Sequence, residues 1–206
     1  MSDVTIIESA DDGVVADWLG SKLEAIFASA AGPVAITVPG GSTPFPIIEQ
    51  LLTHDFPWNR LVVWPNDDRV VPKDHAASNT GKLRALFERV GAEVASLTIM
   101  EQVPPFALAW LGMGADGHVA SLFPSTDPQP DDDRRIITLT PDPLPPEAPF
   151  DRISLTIPAL IDSGEIVLVA RGEEKRAVLD DAAAGRSDLP IARLLGAARR
   201  PVTCFV

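Results

Sequence analysis

An acid and a base stand two residues apart in a glycine-rich stretch in the middle of the chain. Asp116 and His118 belong to the segment Leu111–Pro124, which reads LGMGADGHVASLFP and continues the apolar run Leu108–Leu111. Glycine tolerates positive φ and lets a ligand approach the main chain, so a strand ending in this composition is typical of a ligand-binding loop. Composition alone also allows a tight turn with a surface histidine.

A second glycine-rich turn, VPGGSTP, lies between a predicted strand, Val34–Val38, and a predicted helix, Phe45–Leu52. Its outward N–H groups and hydroxyls, together with the positive end of the following helix, suit a phosphate. The alternative is an ordinary helix N-cap. The turn lacks the lysine of a nucleotide-binding loop, so we do not predict an ATP site. The residues concerned are Gly40, Gly41, Ser42 and Thr43.

Two carboxylates and an arginine follow the next predicted strand, Leu61–Trp64. Asp67, Asp68 and Arg69 stand where open α/β sheets collect ligand contacts, at the carboxyl end of a strand. Arg69 could bind a phosphate. The alternative is a solvated turn in which the three side chains form their own salt bridge.

Composition limits the classes of function. The 206 residues are 46% hydrophobic and carry a net charge of −12 without a basic stripe, which argues against nucleic-acid binding. Any anion site must therefore be a local construction. No leader or membrane-length apolar run is present, so we expect no membrane contact and a cytoplasmic location. The single cysteine, Cys204, cannot form an internal disulfide, and no Cys/His cluster indicates a metal site.

Strand-like and helix-like segments alternate along the whole chain. This alternation predicts one α/β domain over residues 1–206, with a doubly wound, mostly parallel, Rossmann-like sheet and helices on both faces. We predict Pro124–Pro149 to be a long surface excursion. Further predicted strands are Val4–Ile7, Leu97–Met100, Phe106–Leu111, Ile136–Leu139, Arg152–Ile157, Ile166–Ala170 and Val202–Val206; further helices begin near Asp12, Asn79, Pro158, Gly172 and Ile191.

The motifs together resemble one family. VPGGSTP at 38–44, DDRVVP at 67–72 with SN at 78–79, LGMGADGHVASLFP at 111–124, RISLTIPAL at 152–160 and GEEK at 172–175 occur in the order of the glucosamine-6-phosphate isomerase/6-phosphogluconolactonase family. After DGH the isomerase-deaminases typically continue toward FNEP, which supplies an extra acid. ASLFP here is similar to the lactonase branch.

The resemblance implies hydrolysis of 6-phospho-D-glucono-1,5-lactone to 6-phosphogluconate. His118 would be the general base acting on water, and Asp116 would orient it or help place the substrate. The substrate phosphate would lie at residues 40–43, with Arg69, Arg152 and Lys175 as candidate cationic partners. Asp67 would be a further substrate-binding residue, and no metal or organic cofactor would be needed.

Two other functions stay open: an isomerase-deaminase of an amino sugar phosphate, and a non-catalytic sugar-phosphate-binding protein. Lys175 could instead be solvated, and Arg152 could pair with Asp151 or Glu174. The chain also departs from the family pattern, with Asp68 in place of Glu, Val119 in place of Thr, and a short segment 89–106. Nothing in the sequence sets the oligomeric state.

Overall fold

The computed structural model describes residues 3–146 and 148–206. A seven-stranded sheet, in which every neighbouring pair is parallel, runs through the molecule in the order β1-β10-β9-β6-β2-β3-β5. The strands in chain order are Val4–Ile7 (β1), Val34–Val38 (β2), Leu61–Pro65 (β3), Asp67–Arg69 (β4), Glu93–Val94 (β5), Phe106–Gly112 (β6), Ile136–Leu139 (β7), Arg152–Leu155 (β8), Ser163–Val169 (β9) and Val202–Phe205 (β10).

Helices cover both faces of this sheet, which confirms the predicted doubly wound fold. On β6, Leu108 and Trp110 pack toward α1 to α3, while Ala109 and Leu111 pack toward α4 to α6, because successive side chains of a strand point to opposite faces. The helices are Asp12–Ser29 (α1), Pro44–Leu51 (α2), Asn79–Phe87 (α3), Ile157–Ile161 (α4), Glu173–Ala183 (α5) and Pro190–Ala197 (α6).

A second sheet of three antiparallel strands, in the order β4-β8-β7, adjoins the first. One buried residue, Asn66, joins the two sheets: its N–H donates to the carbonyl of Val38 at 2.8 Å, and its own carbonyl accepts from the N–H of Leu155 at 2.9 Å. Its amide nitrogen also donates to Thr37 Oγ1 at 2.8 Å. The small sheet is thereby fixed at the carboxyl end of β2 and β3.

The structure excludes one alternative and corrects one prediction. The DDR segment is strand β4, with Asp67 and Asp68 buried, so it is not the solvated turn that the sequence also allowed. Leu97–Met100, predicted to be a strand, is not one: the edge strand is Glu93–Val94, and Ile99 and Met100 are 66% and 85% exposed. An apolar run pairs as a strand only where a neighbouring edge is within reach, and β3 pairs with β5 instead.

Within residues 3–146 and 148–206, no helix has the length and apolar character needed to cross a membrane.

Asp68 fixes the start of α3, although its side chain is one methylene shorter than the glutamate of the family pattern. Its Oδ1 accepts from the N–H groups of Arg69 at 2.8 Å and Asn79 at 2.6 Å. Its Oδ2 accepts from Ser78 Oγ at 3.1 Å and from the N–H of Thr80 at 3.0 Å. The carboxylate therefore satisfies N–H groups that the first turn of a helix leaves unpaired.

We expect Asp68→Ala to lower the free energy of unfolding by about 3 kcal/mol, because it leaves buried N–H donors at the start of α3 without an acceptor. Urea denaturation followed by circular dichroism measures the loss. The exposed Asp74 in the preceding loop provides a matched control: Asp74→Ala should change the value by less than about 0.5 kcal/mol. Equal losses in the two variants would contradict this role of Asp68.

Candidate functional site

Two adjoining cavities open at the carboxyl ends of the central parallel strands. The first, of about 220 Å³, contains the turn at residues 40–43 and Lys175, and we call it the glycine lobe. The second, of about 290 Å³, contains Arg69 and Arg152, and we call it the arginine lobe. The residues that line both lobes are Gly40, Gly41, Asp67, His118 and Ala120.

His118, which lies at this shared boundary, is in direct contact with Asp116, which lines neither lobe. His118 Nδ1 lies 2.6 Å from Asp116 Oδ1, and the His118 N–H donates to the same oxygen at 3.2 Å. An ionised carboxylate only accepts hydrogen bonds, so the proton of a neutral imidazole belongs on Nδ1. Nε2 is then an acceptor, which is the form of histidine that can take a proton from another group.

The backbone of the 112–124 loop holds the histidine ring in place. A Cβ at Gly114 would lie 2.3 Å from the His118 ring and 2.5 Å from Asp116 Oδ1, so a residue with a side chain does not fit there. The Gly114 N–H also donates to the His118 carbonyl at 2.9 Å. The Phe123 ring packs against the imidazole at a centroid distance of 4.8 Å. The imidazole therefore occupies space that glycine at 114 leaves free and packs against Phe123.

The same loop is anchored to α6. Gly117 has φ of 78°, and its carbonyl accepts from the N–H of Ile191 at 3.0 Å. Ala120 adopts φ of 54°, which is uncommon for a residue with a Cβ and is often found at functional sites. Val119 is fully buried in the apolar core beside α4 to α6. The family departure at Val119 therefore takes no hydroxyl away from the cavity.

The turn at 40–43 is built for close approach. Gly41 has φ of 100°, and a Cβ at Gly40 would lie 2.2 Å from the amide of Asn79. Thr43 is the N-cap residue of α2, yet its hydroxyl makes no capping hydrogen bond with any described residue. Thr43 is therefore not the ordinary side-chain N-cap that the sequence also allowed. Pro44 and Pro46 have no N–H, so the donors at this helix end that can serve a ligand are the Thr43 hydroxyl and the N–H of Phe45.

Asp67 is a buried carboxyl group that faces both lobes. Ser121 Oγ donates to its Oδ2, and Asn79 Nδ2 donates to its carbonyl at 3.0 Å. Burial raises the pKa of Asp67, while the hydrogen bond from Ser121 and the charge of Arg69 act in the opposite direction. The ionised form is therefore costly at this position, as expected for a carboxylate taken out of water.

The three predicted cationic residues do not meet at one point. Lys175, in the first turn of α5, lines the glycine lobe. Arg69 lines the arginine lobe and donates from Nη1 to the Ala77 carbonyl at 2.9 Å. Arg152, 3% exposed, lines the same lobe and donates to the carbonyls of Ala148 and Phe150, instead of pairing with Asp151 or Glu174.

The segment 124–149, predicted as a surface excursion, contributes to the arginine lobe through Pro145 and Ala148. The arginine lobe also contains two polar residues that the sequence analysis did not select, Asn79 and Ser121, which are 2% and 1% exposed. A weak signal existed for both, because Asn79 ends the SN pair and Ser121 stands in ASLFP. What could not be read from the sequence is that both side chains reach Asp67.

The fold and site define a class: doubly wound α/β proteins with a glycine-rich turn and a carboxylate–histidine pair at the carboxyl ends of parallel strands. A family model described as "Glucosamine-6-phosphate isomerases/6-phosphogluconolactonase" matches residues 12–96 and 83–203. The chain belongs to this family.

Individual relatives agree with that assignment. The chain is 32% identical to a 6-phosphogluconolactonase of Neisseria meningitidis, over 93% of this chain and 91% of the relative. It is 34% identical to a 6-phosphogluconolactonase of Caulobacter vibrioides, over 80% and 79%. The crystal structure of 6-phosphogluconolactonase from Thermotoga maritima superposes with a TM-score of 0.83 at 25% identity, covering 100% of this chain and 99% of that one.

Gly114→Ala should break the contact between Asp116 and His118, because its Cβ needs the space that the imidazole occupies. We expect the ¹⁵N NMR signals of the His118 ring to lose the Nδ1–H tautomer, and any reaction that needs this geometry to slow by about 100-fold. Gly196→Ala is the control, since a Cβ there meets nothing within 4 Å. An unchanged His118 spectrum in Gly114→Ala would show that the ring is held by other contacts.

Asp67→Asn should change the pH dependence of stability. The folded-state pKa of Asp67 lies above its ordinary value of 3.8. The protonated side chain therefore makes its full contribution to the unfolding free energy of the wild type below pH 3.8, and this contribution is lost as the pH rises through the folded-state pKa. The asparagine variant does not titrate. The unfolding free energy of the variant should therefore rise relative to that of the wild type as the pH increases. Urea denaturation of both proteins from pH 3 to 9 measures this difference. A difference independent of pH would contradict the raised pKa.

Proposed function

We propose that the protein hydrolyses 6-phospho-D-glucono-1,5-lactone to 6-phosphogluconate, with His118 as general base. The observation that carries the proposal is the contact of Asp116 with His118, whose side chain lies at the boundary of the two lobes. It presents an imidazole acceptor to a cavity that also contains an anion-binding turn. The names of the relatives support the same reaction.

The chemistry follows from the position of the imidazole. His118 Nε2 accepts a proton from water as the water oxygen attacks the lactone carbonyl carbon. The tetrahedral intermediate collapses, the bond from that carbon to the ring oxygen breaks, and the imidazolium returns the proton to the departing oxygen. Asp116 keeps the ring oriented and stabilises its positive charge. The products are a hydroxyl group and a carboxylic acid on one open chain, and the acid releases its proton to solvent to become a carboxylate.

The glycine lobe would hold the phosphate. The backbone of Gly40 and Gly41, the hydroxyls of Ser42 and Thr43, and the ammonium group of Lys175 surround one cavity. Anions bind favourably at a helix N-terminus, and a lysine adds a point charge. Binding energy from the phosphate, which is remote from the reacting carbon, then orients the lactone against His118.

Lactone hydrolysis fits better than deamination of an amino sugar phosphate. The resemblance assigns the deaminase an extra acid from the segment after the histidine, and here that segment contains Ala120, Ser121 and Leu122. Ser121 already donates its hydroxyl proton to Asp67, and Leu122 is buried in the core. Neither residue can supply the missing carboxyl group.

The test is hydrolysis of freshly prepared lactone, followed by proton release, beside ammonia release from glucosamine 6-phosphate. We expect acceleration of the first reaction only. His118→Ala should lower turnover by about 10²- to 10⁴-fold, since it removes a general base. His54→Gln, on a histidine that stacks on Phe56 and lines neither lobe, should be unaffected. A fully active His118→Ala would overturn the general-base role, and ammonia release would favour the deaminase.

A further inference from the structure

The arginine lobe has no role in holding the phosphate if the glycine lobe does so, and its own chemistry points to another ligand group. We propose that Arg69 and Arg152 form a subsite for the carboxylate that lactone hydrolysis creates. The site as a whole would then bind an open-chain sugar acid phosphate by its two anionic ends. This inference rests on the proposed function.

The separation of the lobes is the first argument. Lys175 lines only the glycine lobe, whereas Arg69 and Arg152 line only the arginine lobe. His118 lies on the boundary that both lobes share. A ligand whose reacting carbon is at His118 and whose phosphate is in the glycine lobe therefore places the oxygens of that carbon next to the arginine lobe.

The second argument is the charge arrangement. Arg69 on β4 and Arg152 on β8 are directly opposite each other in the antiparallel pair. Like charges at such positions destabilise a sheet, and more so where solvent is excluded. Burial lowers the pKa of Arg152 and the charge of Arg69 lowers it further, while the carboxylates of Asp67, Asp151 and Asp68 act in the opposite direction. A bound anion would relieve the repulsion that remains between the two guanidinium groups.

The third argument is the supply of free donors. A guanidinium group carries five N–H donors, and the hydrogen bonds of Arg152 to Ala148 and Phe150 use only two of them. Arg69 makes its side-chain hydrogen bonds, to Ala77 and Asn79, from Nη1, so its Nη2 has no hydrogen-bond partner among the described residues. Because the chain carries a net charge of −12, an anion cannot be attracted by the overall field. These local donors have to bind it.

The subsite distinguishes product from substrate. The lactone is neutral at its reacting carbon, whereas the product carries a carboxylate there, and a planar guanidinium matches a carboxylate. The product should therefore bind through both lobes, and the enzyme should be inhibited by its own product more strongly than by a sugar alcohol phosphate of the same length.

Calorimetric titration with three probes tests the subsite without requiring turnover. The probes are 6-phosphogluconate, with both anionic groups, glucitol 6-phosphate, with only the phosphate, and gluconate, with only the carboxylate. Arg69→Gln should lower the affinity for 6-phosphogluconate and for gluconate by about 10-fold or more, and the affinity for glucitol 6-phosphate by less than about 2-fold. Lys175→Gln should lower the affinity for the two phosphorylated probes and leave the affinity for gluconate unchanged.

Arg69→Lys keeps the charge and should restore part of the product affinity; it also serves if Arg69→Gln fails to fold, as judged by circular dichroism. Equal weakening of glucitol 6-phosphate and 6-phosphogluconate by Arg69→Gln would overturn the proposal, because the lobe would then hold the phosphate. Wild-type protein that binds 6-phosphogluconate no better than glucitol 6-phosphate would overturn it as well. Product binding that depends on Arg69 in a protein without lactonase activity would refute the proposed reaction and leave the subsite standing.

Discussion

The buried amide of Asn79 joins the walls of the cavity to one another. Its Nδ2 donates to the Asp67 carbonyl at 3.0 Å, its Oδ1 accepts from Arg69 at 3.2 Å, and the amide lies where a side chain of Gly40 would otherwise be. If a hydrogen-bond partner of this buried amide moves away, the folded protein loses stability, because a buried polar group is then unpaired. The glycine turn, strand β4 and the start of α3, which Asp68 caps, therefore keep fixed relative positions. Ser121 extends this network to the loop that carries the histidine.

The local hydrophobic pattern of the sequence was sufficient to predict the large sheet but not the small one. Strands such as Phe106–Gly112 are apolar and bounded by glycine or proline, so their type and their parallel order follow from periodicity and alternation. Strand β4 consists of Asp67, Asp68 and Arg69, a composition that is typical of a turn. Its burial depends on β8, more than 80 positions later in the chain, and no local signal reports such a partner. The prediction of a strand at Leu97–Met100 is wrong for the opposite reason: the segment is apolar but has no neighbouring strand, so Leu97 packs into the core while Ile99 and Met100 remain exposed.

The same distinction applies to the site. Parallel strands bring their carboxyl ends to one edge, so the residues that follow β2, β3 and β6 could be expected to approach one another from the sequence alone. Lys175, at the start of α5 after β9, also arrives at that edge. The division of the cationic residues between two lobes could not be predicted. It depends on the register that places Arg69 opposite Arg152 in the small sheet, and register between distant strands is a tertiary property.

The two sheets therefore supply different parts of the site. The large sheet presents the glycine turn, His118 and Lys175, while the small sheet presents Arg69 and Arg152. Each part contains features that are unfavourable for folding alone, namely the positive φ of Ala120 and two arginines opposite each other. The apolar layers on both faces of the large sheet offset such costs. Asn66 is the single residue between β3 and β4, so the arrangement of one lobe against the other depends on its buried hydrogen bonds to Val38, Thr37 and Leu155.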